Sequence, residues 1–104
     1  MWLMTTRGFY SVVEHREDDN ILLIRTRCKE DIEALVELIP ATPISILDAD
    51  YSWRIEATRG QWAEALVALL DEVTYPNFKN AIRDSDRHDV YVCVWRQLLV
   101  LDDR

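Results

Sequence analysis

The chain has 104 residues, 49% of them apolar and 30% charged, which supports one buried core and excludes both a disordered segment and two independent domains. Nineteen acids against 12 bases give a net charge of −7, which repels nucleic acid at long range and disfavours generic DNA or RNA binding. With only 2 glycines and 3 prolines, most of the backbone is expected in regular elements joined by short loops.

Phe9 to His15 (FYSVVEH) and Ile21 to Arg27 (ILLIRTR) are rich in aromatic and β-branched residues, and the polar Arg16 to Asn20 (REDDN) separates them. They are expected to pair as a hairpin whose tip, with Glu17, Asp18 and Asp19, is solvated because like charges repel. From Lys29 the period becomes 3.6. Ile32, Leu35, Val36 and Ile39 share one face of an amphipathic helix, Glu30 and Asp31 suit its positive end, and Pro40 and Pro43 stop it. Ile44 to Leu47 and Tyr51 to Arg59 read as a second hairpin turning at Asp48-Ala49-Asp50. Gly60 ends that strand, and Trp62, Leu66, Leu69, Leu70 and Val73 mark a second helix running to Pro76.

Asn77 to Arg83 reads as a short helix and Asp84 to His88 as a polar connector. In the tail, propensity and periodicity disagree: Val90 to Trp95 is β-branched, yet Tyr91, Val94, Trp95 and Leu98 form a helical stripe, and helix is the expectation. The predicted fold is therefore α+β. A four-stranded antiparallel sheet is covered by two helices in the order ββαββα, with extra C-terminal helices. That is what a ferredoxin-like fold becomes when its last strand moves to the front.

Four places in the chain carry a resemblance: Trp2 to Ser11 (WLMTTRGFYS), Arg25 to Lys29 (RTRCK), Asp50 to Arg54 (DYSWR), and the tail pieces Asn77-Phe78-Lys79 with Tyr91 through Val94-Trp95. On these the chain resembles a family of short, uncharacterised bacterial proteins, some carried by phages or plasmids. The resemblance implies a helical tail, since similar proteins place alanines and leucines where this sequence has Val92 and Cys93. It implies no activity, cofactor or site residue.

No apolar run approaches the roughly 20 residues of a membrane span, and the opening segment lacks the pattern of a signal peptide, so the expected compartment is the cytoplasm. There Cys28 and Cys93, far apart and without ligand-spaced neighbours, are expected as buried free thiols, with neither a zinc site nor a redox pair. The four tryptophans are expected at the core or its edge, Trp62 and Trp95 above all, with Trp2 a possible surface anchor for a partner.

Chemistry is sparse. The only histidines, His15 and His88, lie at a strand end and in a polar connector and are expected to be solvated. Glu14, His15, Glu17, Asp18 and Asp19 match no metal loop, Asp48 and Asp50 read as turn caps rather than a catalytic pair, and Gly8 and Gly60 are too far apart for a phosphate loop. No cofactor is expected. One constellation stands out: alternation puts Arg25 and Arg27 on one face with Leu23, and if Arg54 shares that face, three arginines meet on the sheet, with Lys79 as a fourth candidate. They would either grip a phosphate or carboxylate, or pair with Glu14, Glu56 and tail acids beneath the terminal helices.

Two functions follow. The first is a non-enzymatic acidic interaction protein, a phage- or plasmid-borne inhibitor for instance, whose acids (Glu17, Asp18, Asp19, Asp84 and Asp86) face a basic protein partner or whose partner is a second copy of itself. The second is a small anion- or nucleotide-binding regulatory domain that uses Arg25, Arg27, Arg54 and Lys79. A hydrolase built on Asp48 and Asp50 is a weaker third.

Overall fold

A computed structural model describes residues 1–103, and it divides the chain into two compact units, Met1–Val73 and Thr74–Arg104. The first unit is α+β. Its strands are β1 (Trp2–Met4), β2 (Phe9–Glu14), β3 (Ile21–Thr26), β4 (Ile44–Ser45) and β5 (Trp53–Thr58), and its helices are α1 (Lys29–Val36) and α2 (Arg59–Asp71). The strands form one sheet in the order β1-β2-β3-β5-β4, with every neighbouring pair antiparallel.

Alternation along these strands decides what each sheet face carries. Val12, Ile24 and Ile55 lie opposite one another in register and, with Tyr10, Leu22 and Ala57, build a buried face. Ile32 and Leu35 of α1, Ile39 just beyond it, and Trp62, Ala65 and Leu69 of α2 close that face into a single core. Each Val, Leu or Ile among these contributes about 1.5–3 kcal/mol when fully buried. The next row, one residue along, lies on the opposite face: Trp2, Ser11, Arg25, Arg54 and Ile44.

Local chemistry fixes the joints. Thr58 caps α2 in a reciprocal box, its hydroxyl accepting from the Gln61 N–H while the Gln61 side chain accepts from the Thr58 N–H. Gly8 is required by close approach, because a Cβ there would come within 2.8 Å of both Asp31 Cγ and the Tyr10 hydroxyl oxygen. The buried Asp31 accepts from the Phe9 N–H at 3.0 Å, tying α1 to the start of β2.

The second unit holds α3 (Phe78–Ala81), α4 (Ser85–Leu98) and a 3-10 turn, Leu99–Leu101. Helix wins in the tail. Asp84 caps α4 by accepting from the Arg87 N–H, and Phe78 stacks on Tyr91 at 5.5 Å. These contacts outweigh the few tenths of a kcal/mol that each β-branched residue costs in a helix.

Five expectations need correction, beginning with the polar connector: Ser85 to His88 are the first turn of α4, which Asp84 caps. The sheet has five strands, not four, because Trp2–Met4 adds an edge strand through backbone pairing: the Val12 N–H donates to the Met1 carbonyl and the Met1 ammonium to the Val12 carbonyl. The fourth strand shrinks to Ile44–Ser45: the Ile46 N–H still donates to the Ser52 carbonyl, and the chain then turns at Asp48, whose φ is 65°. Both thiols are exposed as well as free, because Cys28 stands where the chain leaves the sheet for α1 and Cys93 lies on an outward face of α4. Trp95 is 47% exposed, its ring covered only in part by Lys79, whereas Trp62 is core at 5%.

Candidate functional site

The predicted arginines do meet. Arg25 on β3 and Arg54 on β5 are directly opposite in register, and Arg27 follows one residue past the end of β3. Between the strands' ends sits Tyr51, buried, with the Arg25 guanidinium 4.6 Å and that of Arg27 4.7 Å from its ring centre. Stacking on a ring restrains a guanidinium without using its donors.

Hydrogen bonds complete the placement. Arg25 Nη2 donates to the buried Ser11 hydroxyl at 2.8 Å, Arg54 Nη2 to the Tyr51 carbonyl at 3.1 Å, and Arg27 Nη1 to the Asp50 carbonyl at 2.9 Å. All three acceptors are neutral. Among the described residues no carboxylate pairs with Arg25, Arg27 or Arg54. The acids expected to neutralise them are engaged elsewhere: Glu14 pairs with Arg59 at 2.5 Å and Glu56 with His15 at 3.2 Å. Two donors, the Nε atoms of Arg25 and Arg54, are buried with no acceptor among the described residues. Like charges directly opposite on neighbouring strands repel, and a buried unsatisfied donor costs about 1–3 kcal/mol. The arrangement is thus a positive locus with unmet hydrogen-bonding capacity.

The other predicted residues fall outside this cluster. Lys79 belongs to the second unit, its ammonium 4.8 Å over the Trp95 ring. Glu17, Asp18 and Asp19 lie exposed at the β2–β3 tip, where Asp18 accepts from the Asn20 N–H and the Asp19 carbonyl from Arg59. Asp84 caps α4 and Asp86 stands exposed in its first turn. Asp50 accepts from its neighbour's N–H at Tyr51, a turn-capping bond. The His88 ring lies 3.2 Å from the Asp89 carboxylate. Sequence reasoning missed Tyr51 and Ser11. Tyr51 left a signal, an aromatic three residues before Arg54, but Ser11 left none.

Comparison with known protein families, with curated proteins and with solved structures finds no match to this chain. Its chemistry has to be read from its own geometry.

Proposed function

We propose that the first unit is a non-enzymatic regulatory domain that binds a small phosphate- or carboxylate-bearing ligand on Arg25, Arg27 and Arg54. The observation that carries this is the combination of three guanidinium groups, two over the Tyr51 ring and one on its carbonyl, with no carboxylate partner, and two buried Nε donors with no acceptor, among the described residues. Arginines that serve only the fold are ordinarily neutralised by acids, and this chain has acids to spare. The test is thermal unfolding in inorganic phosphate, pyrophosphate or ATP against chloride of equal ionic strength. Saturation a hundredfold above Kd contributes about 2.7 kcal/mol, a Tm rise of roughly 10 °C or more for a domain this small. Arg27→Ala with Arg54→Ala abolishes the rise and leaves the ligand-free Tm nearly unchanged. A large fall in the ligand-free Tm would make these arginines structural.

The fold reading that accompanies this function is a permuted ferredoxin-like sheet. The order β2-β3-β5-β4, antiparallel throughout with α1 between β3 and β4, supports it.

Exposed apolar side chains on so acidic a chain favour a second function, an interaction protein that binds a basic partner or its own copy, of the kind phages and plasmids use as inhibitors. Val67 and Leu70, and separately Leu98 to Leu101, are open to solvent. Light scattering and pull-downs at low salt that find a lone monomer remove its support.

A further inference from the structure

Helix α2 is apolar on two opposite sides. Trp62, Ala65 and Leu69 face the core, while Ala63, Val67 and Leu70, three and four residues apart, line the outer side with Gly60. Val67 is 60% and Leu70 67% exposed, and Val73 continues the apolar surface just past the helix end. A solvated helix ordinarily turns polar residues outward, and exposed apolar side chains grouped on one helix face mark a surface that another element covers.

Charge says what covers it. Glu64 and Asp71 flank the stripe on one side, both exposed and without an ion pair among the described residues. At the helix start, Arg59 holds the acidic β2–β3 tip through the Asp19 carbonyl and Glu14. A second copy laid antiparallel across a twofold would bring like flanks together, Glu64 and Asp71 against their own counterparts, which charge opposes.

We infer that the outer face of α2 docks a basic amphipathic helix from another protein, whose apolar side chains enter between Ala63, Val67 and Leu70 and whose lysines or arginines meet Glu64 and Asp71. The small residues Gly60 and Ala63 admit close approach at one end. The contact is a helix laid along a helix face. The inference concerns a surface separate from the arginines and stands or falls independently of them.

The test is fluorescence anisotropy of a helical peptide of about 20 residues with leucines on one face and lysines flanking them, against the same peptide with glutamates in place of the lysines. The lysine peptide binds, and the glutamate peptide binds at least about tenfold more weakly. Leu70→Asp is the decisive variant, because it makes the protein more acidic: attraction by charge alone would strengthen binding, whereas docking on the stripe weakens it about tenfold. Glu64→Gln with Asp71→Asn, which leaves the apolar face intact, weakens the lysine peptide and strengthens the glutamate one. Unchanged or stronger binding to Leu70→Asp overturns the inference. So does equal binding of the two peptides, or a wild-type dimer that Leu70→Asp dissociates.

Discussion

Arg7 joins three places in the first unit with one guanidinium. Its Nη1 donates to the Ala34 carbonyl of α1 at 2.6 Å and to Glu37 at 2.9 Å, while Nε and Nη2 grip Glu72, beyond the end of α2, at 2.6–3.2 Å. The β1–β2 turn is thereby stapled to the C-terminal ends of both helices, where a positive charge also suits the helix dipoles. The hydrogen bond to Glu72 and then that to Glu37 raise the Arg7 pKa, against the opposing effect of burial. A raised value contributes stability that is complete below the group's ordinary pKa and is lost only as pH rises through the raised one. The staple is therefore insensitive to pH from neutrality to mild alkali. Arg7→Ala strands part of the Glu72 carboxylate and lowers stability by about 2 kcal/mol in urea unfolding. A loss below about 0.5 kcal/mol would reduce the staple to an ordinary surface pair.

At the scale of elements, the parts that were legible in sequence are those whose period is long enough to count. The first hairpin is rich in aromatic and β-branched residues over six residues on each strand, and α1 repeats Ile32, Leu35 and Ile39 before Pro40. α2 carries its start signal in Thr58 and Gln61, and Thr58→Ala costs about 1 kcal/mol, measurable as a lower urea midpoint with unchanged slope. β1 was illegible because three residues hold no period and its pairing comes from backbone groups that any sequence supplies. Strand parity put Arg25 and Arg27 on one face and left Arg54 conditional on how its strand pairs, and it gave no sign of Tyr51 under two guanidiniums. That contact depends on the register of β5 against β3, which are separated in sequence by α1 and β4. The expected acid partners failed for a similar reason: the same register that sets Arg25 against Arg54 sets Leu23 against Glu56, two rows away on the same face, where His15 takes it.

For the whole molecule, a net charge of −7 and a local trio of uncompensated arginines are in tension. At a Debye length of about 8 Å the surrounding carboxylates repel a free anion on approach, so affinity has to arise at short range from donors already stripped of water. Binding should then depend only weakly on ionic strength, unlike that of a ligand drawn to an open basic patch. The arginine Nε–H resonances report this most directly. With 15N-labelled protein titrated with pyrophosphate, and signals assigned by single Arg→Lys variants, the Arg25 and Arg54 Nε–H peaks shift together and saturate with one dissociation constant. Peaks that stay fixed, or that drift linearly without saturation while only the exposed Arg27 responds, would contradict an anion site on the sheet.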